Sequence, residues 1–173
     1  MIRVSLTNAF AKRTLRPLLE KHQATPLGIN LLSTESGDIY SGMVAALTKE
    51  AGGTAGVVEI ADNTSSTDEI FGLFALDKNA VINDLDGQAA DMKPFAVWQG
   101  GPDAYFRIDD PAFETDSQTY DVGTPLFVSN NGKLCAATGG AITAGTNQVG
   151  IVTEVPAGGT RLIIRITSPN NAA

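Results

Sequence analysis

Three features of this sequence predict a mainly β protein: short apolar runs, turn signals that separate them, and 18 glycines in 173 residues. The expected body is a small antiparallel β-barrel or sandwich, built as one unit or as two related β units, behind an extended or partly helical N-terminal arm. The organisation expected along the chain is a basic arm over 1–28, a β-rich region over 29–116, a barrel-like C-terminal domain over 117–168 and a flexible tail over 169–173. That length suits one domain or two small ones with a real core.

Within the arm, Asn8 can cap a short helical turn through Arg13, and Pro17 can start another through Lys21, since proline is tolerated at the first helical position. Neither turn carries enough apolar residues to fold alone. From Gly28 the texture changes. Ile29, Leu31 and Leu32 suggest a strand, 33–38 a polar turn and 40–47 a small, apolar stretch. After Gly52-Gly53 comes the strand Val57-Val58-Glu59-Ile60. A polar loop over 62–68 leads to an apolar segment over 70–76. A second loop over 77–91 leads to Phe95-Ala96-Val97-Trp98, which ends at Gly100-Gly101-Pro102. Tyr105-Phe106-Arg107-Ile108 is expected to pair near it, ahead of the acidic connection 109–116.

Residues 120–167 carry the most fully specified turns. Leu126-Phe127-Val128 ends at Asn130-Asn131-Gly132, whose residue types tolerate positive φ, and 133–136 returns as the partner strand. Val149-Gly150-Ile151-Val152, Pro156, Gly158-Gly159 and the alternation of 161–167 around Ile163 and Ile164 complete the region. There is also an internal echo. The segment 42–47, Gly52 and Gly72 resemble 123–128, Gly132 and Gly150, at separations of 81, 80 and 78 residues (42 to 123, 52 to 132, 72 to 150). An old duplication and a shared glycine-rich composition both account for it.

Composition excludes several classes. The longest apolar runs fall far below the roughly 20 residues that cross a bilayer, and the N-terminus lacks a signal-peptide hydrophobic region, so a soluble protein made in a cytoplasm is expected. The lone cysteine, Cys135, has no partner for an internal disulfide and sits in an apolar strand, which favours a buried thiol. Charge is segregated. Residues 1–24 hold Arg3, Lys12, Arg13, Arg16 and Lys21 against Glu20, a net of +4, which leaves −11 for the rest of a chain whose total is −7. A basic leader on an acidic body can bind an acidic surface, including a second copy of that body, or it can simply be a solvated terminus. Nucleic acid is disfavoured, because the leader offers only Phe10 for stacking and the body repels phosphate.

The inventory for catalysis is thin. With one histidine and one cysteine, no His/Cys zinc site assembles within the chain, and triad chemistry would depend on His22 in the leader. Gly52-Gly53-Thr54-Ala55-Gly56 lacks the Lys-Ser/Thr of a phosphate loop. Asp84-Leu85-Asp86-Gly87 lacks the spacing and closing glutamate of a calcium loop. Asp109-Asp110 point to opposite faces if the strand continues, which works against paired-acid chemistry, and Glu114 and Asp116 extend the same acidic loop, suited to solvation or to capture of a basic arm. Trp98 and Tyr105 around the 100–103 turn are either a sugar platform or core packing, and alternation alone accounts for Phe95, Val97, Phe106 and Ile108. No catalytic, cofactor or metal site is expected.

The sequence Gly123-Thr124-Pro125-Leu126-Phe127-Val128, then Asn131-Gly132-Lys133-Leu134, Val149-Gly150-Ile151-Val152 and Arg161-Leu162-Ile163-Ile164, resembles the β-domain of tailed-bacteriophage head decoration, or cement, proteins. Segments 71–77 and 94–104 also resemble phage virion proteins. What this resemblance implies is a non-enzymatic structural protein, oligomeric on the outer capsid face of the virion, with the major capsid protein and further copies of itself as partners; the threefold positions of a shell make a homotrimer the expected oligomer, and no membrane or direct nucleic-acid contact is expected. The residues expected to meet those partners are Arg3, Phe10, Lys12, Arg13, Arg16, Lys21, Asp109, Asp110, Glu114 and Asp116. A tail, baseplate or fibre-base protein and a carbohydrate-binding module are the alternatives.

Overall fold

The computed structural model describes residues 15–17, 27–31, 35, 38–49, 51–53, 56–66, 69–75, 94–99, 104–156 and 160–167. Among them all regular structure is β: β1 (Leu15–Pro17), β2 (Leu27–Asn30), β3 (Val44–Lys49), β4 (Gly56–Ile60), β5 (Ile70–Phe74), β6 (Pro94–Trp98), β7 (Tyr105–Asp109), β8 (Pro125–Ser129), β9 (Leu134–Cys135), β10 (Ala144–Glu154) and β11 (Arg161–Ile166). No helix among the described residues is long and apolar enough to cross a membrane. The mainly β body expected from the sequence is what folds, as two antiparallel sheets. One has five strands in the order β2-β6-β5-β3-β4, the other has six in the order β1-β7-β11-β10-β8-β9, and one of the two curls into a half-barrel.

Two local expectations change. β6 and β7 do not pair. β6 lies between β2 and β5, and β7 lies between β1 and β11 in the other sheet, so the sheets divide between β6 and β7. Pro17 ends a strand, and residues 18–21, through which the second turn was expected to run, lie outside the described residues. Leu15-Arg16-Pro17 pairs with Ile108, Arg107 and Phe106 at the sheet edge, where proline's missing N–H is tolerated. The turn expected over 8–13 lies outside the described residues.

The sheets repeat one another. Adding five to each strand number turns β2-β6-β5-β3-β4 into β7-β11-β10-β8-β9, the six-stranded order without β1. The registers agree residue by residue. Val44↔Leu73, Ala45↔Gly72 and Ala46↔Ile70 correspond to Pro125↔Ile151, Leu126↔Gly150 and Phe127↔Gln148, each pair skipping one residue on β5 or β10. These are shifts of 81 residues on one strand (44 to 125) and 78 on the other (73 to 151). The amides of Gly42 and Phe74 bond the carbonyls of Phe74 and Met43, as Gly123 and Val152 bond Val152 and Thr124. Parallel bridges Leu31↔Val58 and Phe113↔Leu134 match as well. The echo in the sequence is therefore structural: unit 1 is β2–β6 and unit 2 is β7–β11.

Packing explains why the two units differ in texture. In unit 2, strands alternate: Phe106, Ile108, Leu162, Ile164 and Ile166 are buried, while Tyr105, Arg107, Ile163 and Arg165 are half-exposed. Unit 1 is apolar on both faces. Val44, Ala46, Ile70 and Leu73 join the unit 2 residues in one core, whereas Ala45, Val58, Phe74 and Val97 pack with Leu31, Ile39 and Met43 in a second. A sheet covered on both sides needs near-continuous apolar strands, which is why β5 is Ile-Phe-Gly-Leu-Phe. The units are fastened by polar contacts too. Val44 N donates to Gly132 O at 2.9 Å, and Asn147 Nδ2 to Ser65 O at 3.0 Å.

Candidate functional site

The connection between β7 and β8 holds most of the acidic residues singled out above, and it separates them. Asp109 ends β7 on its outer face, where its carboxylate accepts hydrogen bonds from Arg107 Nη2 at 2.7 Å and Arg161 Nε at 2.9 Å. Burial alone would raise its pKa, but the bonds and charges of Arg107 and Arg161 outweigh burial and hold it below the ordinary aspartate value. Asp110 and Asp116 are exposed.

Glu114 departs from the expected solvated loop. It is buried, and its Oε1 accepts from Ser129 Oγ at 2.7 Å and Asn131 Nδ2 at 2.9 Å. Ser129 Oγ in turn accepts the amides of Asn131 and Lys133, so one carboxylate organises the whole β8–β9 turn. The backbone around it is tied down. Glu114 N donates to Leu134 O, Tyr120 OH donates to Glu114 O at 2.6 Å, and the Tyr120 ring stands edge-on to Phe113 at 5.5 Å. Gln118 accepts from the amides of Ala136 and Ala137 and donates to Ala137 O. The 110–120 segment is thus a rigid strap over unit 2. Cys135 lies beneath it, buried, with its thiol pushed up to about 11 by desolvation and then by Glu114; it is a packed side chain and not a thiolate nucleophile at neutral pH.

Of the basic residues expected to bind partners, Arg16 lies on β1, in register with Arg107. Arg3, Phe10, Lys12, Arg13 and Lys21 lie outside the described residues, as do His22, 84–87 and 100–103. Trp98 is half-buried and packs against the core, its ring 6.1 Å from that of Phe106, so it serves packing. Among the described residues no group of three or more His, Cys, Asp or Glu side chains is placed to hold a metal ion.

Sequence reasoning missed the outer face of the six-stranded sheet. Register puts Pro125, Ile151, Arg165 and Tyr105 in one row across β8, β10, β11 and β7, with Ile163 and Arg107 in the next. Arg161 lies on the same face. The Nε atoms of Arg107 and Arg165 are shielded from solvent and have no acceptor among the described residues. The signal was present, as charged residues alternating with isoleucine in β11, but alternation is also how any strand meets water. The opposite charge collects on unit 1, where described residues carry Glu35, Asp38, Glu59, Asp62 and Glu69 against Lys49. Burial raises the Glu59 pKa, and Glu35, Asp62 and Glu69 raise it further.

The Asp109 pair gives a pH prediction. A carboxylate with a depressed folded pKa stabilises the fold above its unfolded pKa, near 3.9, and that contribution is lost as pH falls through the lower folded value. Asp109→Asn should cost about 1 kcal/mol at neutral pH, the scale of a partly exposed pair. Urea unfolding should find that gap closing in strong acid; a gap independent of pH would assign the loss to packing.

Compared with known proteins, the chain matches the family described as phage cement protein over residues 1–172. No curated protein and no solved structure matches it.

Proposed function

This chain belongs to the phage cement protein family and is a structural protein of a phage capsid, and from that premise we propose that it binds the outer capsid surface and bridges neighbouring major capsid subunits, without enzymatic activity, after synthesis in the bacterial host cytoplasm. The family match over residues 1–172 carries this reading. The body suits a clamp: two fastened β units form a rigid block that holds two attachment points at fixed distance. Repetition over a lattice then converts modest contacts into avidity. Self-association as a trimer belongs to the same reading, since shell threefold positions present three identical sites and closed symmetry buries matching patches.

The basic leader is the proposed attachment segment, with Arg3, Lys12, Arg13 and Lys21 meeting carboxylates of the shell or of a neighbour. Exposed ion pairs contribute about 0–1 kcal/mol each, so burial of Ile2, Val4, Leu6 and Phe10 must supply the rest. Capsids made without the protein should assemble and then lose their DNA at lower temperature than decorated ones; failure to assemble at all would make it a shell or scaffold component. Adding back a chain that lacks residues 1–14, which leaves β1 in place, should give reduced capsid occupancy in a pelleting assay. Raised salt should reduce occupancy of the intact chain in part. Equal pelleting of both chains would move attachment to the body, with Asp110 and Asp116 the next residues to change.

A further inference from the structure

The repeat allows one unit to be used as a map of the other. In unit 1 the row Val44, Leu73 and Trp98, with Ala46 and Ile70 beside it, is the surface that packs against unit 2: the four aliphatic side chains are buried in the shared core and Trp98 touches Phe106. The register equivalents in unit 2 are Pro125, Ile151 and Arg165, with Phe127 and Gln148 beside them. These are exposed or half-exposed. One surface of one fold is thus used for docking in the first unit and left open in the second.

We propose that this outer face of unit 2 docks a second copy of the chain, through the acidic side of that copy's unit 1. Shape and charge both favour that occupant. The equivalent surface already packs unit against unit inside the chain, so another unit of this fold is a complementary body. The face carries Arg107, Arg161 and Arg165 against Asp109, while the described part of unit 1 carries five carboxylates against Lys49. Burying Phe127, Ile151 and Ile163 supplies the apolar centre, and the arginines the rim. The contact joins unit 2 of one copy to unit 1 of the next, so it is heterologous and closes into a ring when the rotation permits, as a trimer requires.

This assignment rests on the self-association proposed above. Sedimentation velocity of the full chain at micromolar concentration tests it, comparing the natural protein with Ile151→Asp and Arg165→Glu, each checked for an unchanged unfolding midpoint. The natural chain should sediment as a trimer and Ile151→Asp as a monomer, and Arg165→Glu should weaken association at least about tenfold. Two variants that remain trimeric like the parent overturn this surface and leave the trimer standing. A monomeric parent overturns the self-association as well, while its pelleting with capsids still reports on attachment. Variants that stay trimeric but no longer pellet assign the face to the shell and reject the proposal. If Ile151→Asp does not fold, Arg165→Glu, on a half-exposed side chain, decides the matter.

Discussion

Gly132→Val should abolish stable folding, and Gly132→Ala should cost several times more than Gly52→Ala. The two glycines hold equivalent places in the β3–β4 and β8–β9 hairpins, with almost the same backbone conformation, φ of 76° at Gly52 and 74° at Gly132. Any L side chain in that left-handed region costs about 1–2 kcal/mol, so conformation alone predicts similar losses. Surroundings separate them. A Cβ at Gly52 would meet nothing within 4 Å. One at Gly132 would overlap the Ile60 Cγ2 methyl and stand 2.9 Å from the Ala61 carbonyl oxygen and 3.2 Å from Met43 Cε. A backbone carbonyl cannot step aside as a flexible side-chain end can. Gly132 O also accepts the Val44 amide, so backing the turn away would break a bond between the units. Overpacking adds about 1–3 kcal/mol for alanine and more for valine, out of the roughly 5–15 kcal/mol that holds a domain together. Urea unfolding of the three variants checks the order. Equal midpoints for Gly52→Ala and Gly132→Ala would show that the hairpin does not press on unit 1.

Glu114→Ala should be the next most damaging change, at about 3 kcal/mol, and Glu114→Gln should recover more than half of it. Alanine leaves Ser129 Oγ and Asn131 Nδ2 without their acceptor in a buried place, and hydrogen bonds to a charged acceptor contribute about 1.5–3 kcal/mol each. Glutamine keeps one carbonyl oxygen and nearly the same shape. The damage should spread beyond the strap, because the turn that Glu114 organises carries Gly132. Amide exchange should therefore quicken at Asn131, at Lys133 and also at Val44 across the unit boundary. Exchange confined to the turn would mean that the units hold together without it. Combining Glu114→Ala with Gly132→Ala should cost less than the sum, since both loosen one contact.

Several parts of this account were legible in the sequence. The apolar runs located ten of the eleven strands among the described residues, Asn130-Asn131-Gly132 marked the hairpin, and glycines at matching spacings raised a repeat that shared composition could equally have produced. Residue type and period are enough for these, because a strand's alternation reports its own burial and a positive-φ turn limits which residues can occupy it.

The tertiary structure alone decided the partners. Backbone donors and acceptors are alike along every strand, so nothing local says that β7 pairs with β11 and not with β6, or that Leu15-Arg16-Pro17 adds an eleventh strand to β7's free edge. Glu114 looked like part of a solvated acidic loop because its donors, Ser129 and Asn131, come from a turn more than a dozen residues away. The same limit hid the outer face of unit 2. Arg-Leu-Ile-Ile-Arg-Ile reads only as one side in and one side out, and the meaning of the outer side appears when its equivalent in unit 1 is found buried against a neighbour.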